Sequence, residues 1–256
     1  MISNEHKSFI KKEKRKKYLI RIIQISILFI FITLWELLSK YNVINSFITS
    51  SPSNIIKTII ELYKQNNLFI HINTTINEVL LSFTITSLLS FIIALILYSN
   101  ETLSKILDPY LTVLNSLPKI ALGPLIIIYL GANTKSIITM SILISIILST
   151  QNILNGFKNT NKNKIKLLKT LNASKKDIIT KLVVPSNKKA IINSLKINIS
   201  MCLIGTIQGE FLTSKSGIGY LIMYGTQVFN LNLVMSGIIL LTIISYIMYL
   251  IINNIK

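Results

Sequence analysis

Apolar residues fall into six long blocks, 18–38, 74–98, 106–130, 136–154, 190–207 and 231–252, separated by polar and mostly lysine-bearing stretches. A helix needs about 20 apolar residues to cross the hydrocarbon core of a bilayer. The pattern therefore predicts an all-α, polytopic integral membrane protein with six transmembrane helices. The third block is the least regular, because Pro109, Pro118, Gly123 and Pro124 fall inside it. They predict a kinked or broken helix supported by its neighbours, and five spans stay open as the alternative. The first block follows a basic segment, 1–17. Its apolar run is too long for a signal peptide and no small-residue cleavage pattern follows, so it reads as a retained span.

The stretch 155–189, between the fourth and fifth blocks, has a different texture. Ile165, Leu168 and Leu171 recur every third residue, and Ile178, Ile179, Leu182 and Val183 give the i, i+4 spacing of a second amphipathic stripe. Two short helices are predicted. Asn172 tolerates the left-handed conformation needed just past a helix end and closes the first. Ser174 and Asp177 have the spacing of a capping box and open the second. Pro185, without an amide hydrogen, ends it.

Composition agrees with a membrane body: of 256 residues, 51% are apolar and 14% charged, against roughly 25% charged in a soluble domain. A net charge of +18 in a soluble protein would point to nucleic acid. Here Phe157 is the only aromatic residue in 155–189, which leaves no platform for base stacking, so no nucleic-acid partner is expected. The single cysteine, Cys202, excludes an internal disulfide, and His6 and His71 are too few and too far apart for a metal site. The nine glycines never take the spacing of a phosphate-binding loop, so no ATPase is read in this chain. No catalytic residue, cofactor or metal is expected.

Charge placement sets the orientation. The N-terminal segment carries eight basic residues, Lys7 to Arg21, and the 153–189 loop carries ten, whereas the long stretch 39–73 has only Lys40, Lys57 and Lys64. Lysine-rich loops stay cytoplasmic. Reversing the chain would drive ten charges outward against a potential worth about 2.3 kcal/mol per charge per 100 mV. Both termini and the helix pair are therefore expected in the cytoplasm of a cell whose inner membrane the protein crosses, with lipid around the spans.

Residues 166–185, KLLKTLNASKKDIITKLVVP, resemble the cytoplasmic motif of permease subunits of binding-protein-dependent ABC importers, which reads Glu-Ala-Ala, three residues, Gly, then a dozen residues to Pro. TLNAS at 170–174 and LVVP at 182–185 look like the branch handling nitrate, sulfonates, taurine and bicarbonate, as do LNSLPKIALGPLIIIYLG at 114–131 and GEFLTSKSGIGYLI at 209–222. The chain departs from the motif in having Lys166 for the Glu, Leu167 and Leu168 for the two Ala, and Asn172 for the Gly. The resemblance implies that this helix pair docks in a cleft of a separate ATP-binding ABC subunit. Lys166, Leu167, Leu168, Leu171, Asn172, Ala173, Ser174, Asp177, Ile178, Leu182 and Pro185 are then its coupling residues. It further implies a second permease copy, an extracytoplasmic solute-binding protein and import of a small, anionic solute. Glu210, Gly217 and Gly219 are similar to the family's outward gate segment.

Other polar residues in the spans are read individually. Lys119 follows Pro118 in the broken block, where freed backbone and a cation could face an anion pathway. Glu36, Glu78 and Asp108 lie near span ends and read as snorkelling or helix-terminal groups, and Lys196 as another snorkeller. Gly205 and Gly209 give the G-x-x-x-G spacing of close helix packing. Ile55, Ile56, Ile59, Ile60 and Tyr63 form an amphipathic stripe expected to lie on the membrane surface. Two rival functions remain, an ion-coupled secondary transporter and a non-transport membrane scaffold. The first would carry internal repeats and a buried acid pair, and neither is expected here.

Overall fold

The computed structural model describes residues 4–41, 43, 44 and 49–254. Within the basic segment 1–17, residues 1–3 and the side chains of 4–11, including His6, Lys7 and Lys11, lie outside the described residues. The chain forms α1 (Asn4–Lys40), α2 (Pro52–Lys64), α3 (Asn67–Ser99), α4 (Glu101–Ser116), a 3-10 turn (Lys119–Leu122), α5 (Gly123–Leu130) and α6 (Thr134–Lys158). An arm follows, made of α7 (Lys162–Thr170), α8 (Lys175–Ile178), a π-helical turn (Ile179–Val183) and α9 (Val184–Ser186). The chain ends with α10 (Lys188–Thr213), α11 (Ile218–Gln227) and α12 (Leu231–Asn253). No strand occurs among the described residues.

Among the described residues five helices, α1, α3, α6, α10 and α12, are long and apolar enough to cross a membrane. The third predicted block is a pair, α4 and the stretch 119–130, bent by 84°; counted as one span it makes a sixth. Only Pro118 breaks this block. Leu117 before it is extended at φ −64°, ψ 141°, the conformation that the proline ring imposes on its predecessor. Pro109 sits inside α4 and Pro124 in the first turn of α5, where no amide hydrogen is missed.

The body is built on α3, α6 and α10, which pack against one another. The contact surface is small and hydroxylated. Ser82, Thr86 and Ser90 of α3, Ser141, Ser145 and Ser149 of α6, and Ser194, Asn198, Cys202 and Thr206 of α10 are all buried. Thr86 and Ser145 hydroxyls meet at 3.1 Å, Ser141 donates to the Cys202 carbonyl at 2.9 Å, and Asn198 Nδ2 donates to Ser87 Oγ at 2.7 Å. Lipid supplies no hydrophobic drive between helices, so close approach and such bonds, averaging about 0.6 kcal/mol each, hold the bundle. Gly205 and Gly209 make that approach possible: a Cβ on Gly205 would lie 2.5 Å from the Ser141 Cα, and one on Gly209 2.9 Å from the Ile137 Cα.

At the periphery, α2 departs from the surface-lying stripe predicted for it. Ile55 is fully buried and Ile59 packs on the core, while Ile56, Ile60 and Tyr63 face outward. Ser51 and Glu36 direct α2 into the bundle. The Asn54 N–H donates to Ser51 Oγ at 3.3 Å and the Ser53 N–H to Glu36 Oε2 at 3.0 Å, so Glu36 serves as a helix-terminal group. Lys196 reaches Asn253 Oδ1 at 2.7 Å, at the end of α12, and Asp108 is exposed on α4.

Candidate functional site

The arm leaves the bundle where α6 ends and is shaped by its caps. Asn161 Oδ1 accepts from the Asn163 and Lys164 N–H groups and starts α7. At its other end Asn172 is left-handed (φ 56°), its N–H reaching the Lys169 carbonyl and that of Ala173 the Leu168 carbonyl. That pair of bonds is a Schellman closure. Ser174 Oγ then accepts from the Asp177 N–H at 3.1 Å and donates to the Asp177 carboxylate at 2.5 Å. The predicted joint between two capped helices is present.

Pro185 does not end the second helix. The chain passes through the π turn and α9, and stops at Asn187, whose side-chain amide donates to the Val183 carbonyl at 2.8 Å and to Thr160 Oγ1 at 2.6 Å. A widened turn accommodates the proline, which lacks an N–H and crowds the carbonyl one turn earlier. The arm thereby joins α10 almost without a break.

The predicted coupling residues divide by face. Ile178 and Val183 are buried with Ile153, Leu154 and Phe157 of α6 and Ala94 and Leu97 of α3, and Ile165, Leu168 and Ala173 pack beside them. The regular stripe that the sequence offers to a partner therefore seats the arm on its own bundle. Lys166, Leu167, Leu171, Asn172, Ser174 and Pro185 point away from the bundle, with Leu167 61% and Leu171 68% exposed. Asp177 and Leu182 are intermediate. Lys175 donates to the Ser99 carbonyl, the last of α3, and a cleft of about 760 Å³ between arm and bundle is lined by Lys105, Lys158, Lys162 and Lys169.

The Lys181 ammonium, 2.7 Å from Asp177 Oδ1, and the Ser174 hydroxyl hold the Asp177 carboxyl down to about 2. A depressed carboxyl contributes stability that is complete above its ordinary range and lost as pH falls through the folded value. Hydrogen-exchange protection of α8 should therefore be flat from about pH 8 to about pH 5, fall progressively as the pH drops below the ordinary carboxyl range, and lose this contribution fully by the folded value. Exchange measurements across that range check it.

At the break, Lys119 Nζ donates to the Ile144 carbonyl of α6 at 3.2 Å and to Asn115 Oδ1 at 3.3 Å. Lys119, next to Pro118 at the bend, thus braces it against α6.

The far end of the bundle gathers Glu210, Gly217 and Gly219 in one cluster. Glu210 is 1% exposed. Its carboxylate accepts from Thr75 Oγ1 at 2.6 Å and from the Gly219 N–H at 2.5 Å. The Ile218 N–H donates to Thr75 Oγ1 at 2.8 Å and the Gly217 N–H to His71 Nδ1 at 3.0 Å. The free N–H groups at the start of α11 are therefore capped by side chains of α3 and α10. Gly217 (φ 111°) is required twice, because a Cβ there would also lie 2.4 Å from the Glu210 Cδ.

Glu78 overturns two expectations. It is buried rather than snorkelling, and its carboxyl abuts that of Glu210, so a buried acid pair does exist. A signal for it was present: His71, Thr75, Glu78, Ser82, Thr86 and Ser90 are polar at every third or fourth position, one continuous stripe down α3. Among the described residues no group of three potential metal ligands occurs.

The family model described as the inner membrane component of binding-protein-dependent transport systems matches residues 86–256. The chain is 26% identical, over 73% of its length and 74% of the relative's, to a formylaminopyrimidine transport permease protein of Halalkalibacterium halodurans. It is 24% identical to a nitrate import permease protein of Synechococcus elongatus, over 84% and 79% of the two chains. A chain of the MetNI methionine ABC transporter in an inward-facing conformation superposes with a TM-score of 0.67 at 14% identity, covering 75% of this chain and 95% of that one. With an all-helical body among the described residues, one apolar block broken at Pro118 and a family match over two thirds of the chain, the protein belongs to the family of binding-protein-dependent transport system inner membrane components.

Proposed function

We propose that the chain is the permease subunit of an ATP-driven ABC importer. It crosses the cytoplasmic membrane six times with both termini inside and works with a second copy, two ATP-binding subunits and an extracytoplasmic solute-binding protein. The observation that carries the reading is the arm, a capped helix pair seated on the bundle by one face while Leu167 and Leu171 stand exposed on the other. Closure of the ATPase subunits on nucleotide would draw two such arms together. Since α8, the π turn, α9 and α10 follow one another with Asn187 alone between the last two, that movement passes into α10, the helix that carries Glu210 of the gate cluster. The chain itself is non-catalytic, and hydrolysis belongs to the partner.

The solute is small and anionic, as in the nitrate permease among the relatives. The sequence argument against an ion-coupled carrier rests in part on the lack of a buried acid pair. Glu78 and Glu210 remove that ground, and membership of a binding-protein-dependent family replaces it. Vesicles reconstituted with permease, ATPase subunit and binding protein should take up radiolabelled solute only with ATP inside and binding protein outside. Uptake that survives without ATP would show an ion-coupled carrier, and none with any partner would show a scaffold.

A further inference from the structure

Glu78 has no part in the import cycle as proposed. It is 3% exposed, and its Oε2 has no donor directed at it. Its carboxyl lies within hydrogen-bonding reach of the Glu210 carboxyl, with the Thr134 side chain beside it. Glu210 is differently supplied, since the Thr75 hydroxyl, the Gly219 N–H and the amino end of the ten-residue helix α11 all favour a negative charge there.

Among the described residues no cation balances the pair. The three ion pairs among the described residues, Glu13–Lys17, Glu101–Lys105 and Asp177–Lys181, lie elsewhere. The other ionisable groups around the cluster are His71 on α3, accepting at Nδ1, Tyr220 on α11, stacked against His71, and Lys215 and Glu61 in the cleft outside them. Lys135, at the start of α6, is exposed. Two ionised carboxylates cannot remain in contact inside a low-dielectric bundle, so such a pair retains one proton between them.

We propose that Glu78 and Glu210 form a proton-binding site holding a single shared proton. Glu78 carries it and donates to Glu210, and this hydrogen bond ties α3 to α10 around the amino end of α11. Glu78 is a positioning residue acting through Glu210. Loss of the proton leaves two like charges in contact, displaces the Glu210 cap from Gly219 and the Thr75 hydroxyl it holds, and so loosens the turn that Thr75 and His71 cap at Ile218 and Gly217. The site is independent of which solute the permease carries.

Infrared spectroscopy and hydrogen exchange of the whole permease in lipid nanodiscs, where both faces are accessible, test the proposal. At neutral pH the wild type should show the carbonyl stretch of a protonated carboxylic acid, lost in Glu78→Gln and retained in Glu36→Gln. Glu78→Gln, which still donates a hydrogen bond, should keep the exchange protection of 217–219, whereas Glu78→Ala should lose about tenfold or more, as expected for a buried hydrogen bond left unmade. In the wild type, raising the pH should remove the band and the protection together. Absence of the band in the wild type, its survival in Glu78→Gln, or protection in Glu78→Gln falling as far as in Glu78→Ala would each overturn it.

Discussion

Replacing Leu167 and Leu171 together by aspartate should abolish co-purification of the ATPase subunit while the permease still inserts and folds. The two side chains are the large apolar groups that α7 and its joint leave exposed, and neither belongs to the cluster that seats the arm on the bundle. Burying a leucine is worth about 1.5–3 kcal/mol, so losing two removes about 3–6 kcal/mol before counting the charges forced into an apolar seat. That corresponds to a hundredfold or greater loss of affinity, since each 1.4 kcal/mol is about tenfold. Pull-down through a tag on the permease, beside a melting curve of the permease alone, separates docking from folding. Retained co-purification would sink the assignment of the arm. Proline at Ile178 is a poorer probe, because Ile178 is buried against α3 and α6 and its loss damages the bundle itself.

Gly205→Val should be the most damaging single change in the body. The new Cβ would meet the Ser141 backbone at 2.5 Å, and backbone cannot swing aside as a side-chain tip does. Helices α6 and α10 must separate, which also lengthens the Ser141 to Cys202 carbonyl bond and the 3.4 Å contact between Thr206 and Ser141. Overpacking costs about 1–3 kcal/mol or more, and each lost interhelical bond adds about 0.6 kcal/mol. A drop of roughly 6–12 °C in melting temperature follows for a chain of this size. Thermal denaturation in detergent measures it, with Ile204→Ala, exposed on the lipid side of the same helix, as the near-neutral control. Equal effects of the two would show that close helix approach is not what holds the body.

The membrane-spanning plan was legible because hydropathy is read residue by residue and needs no partner. The arm's joint was legible for a similar reason, since Asn172, Ser174 and Asp177 act on backbone within three residues of themselves. Pro185 misled because its effect depends on the next segment, where the π turn absorbs the missing bond. The inward stripe of the arm misled more deeply: period identifies an apolar face but not what covers it, and Ile178 and Val183 are covered by the chain's own α6. Glu78 and Glu210 lie 132 positions apart, and their meeting depends on the packing of α3 against α10. The stripe from His71 to Ser90 marked the buried face of α3, and only the fold could show that the other acid faced it.

Helix α1 stands apart, since from Tyr18 to Leu34 its apolar side chains are all exposed and, among the described residues, its side chains bond to the rest of the chain in its last turns, through Glu36 and Ser39. Lipid discriminates length and greasiness but not the order of side chains. The wording of this helix is consequently interchangeable with that of almost any leucine- and isoleucine-rich segment of equal reach, while a single methyl group is barred from α10 at Gly205. Tolerance to rewriting in this protein is graded by how much of each helix is surrendered to a neighbour rather than to solvent or lipid.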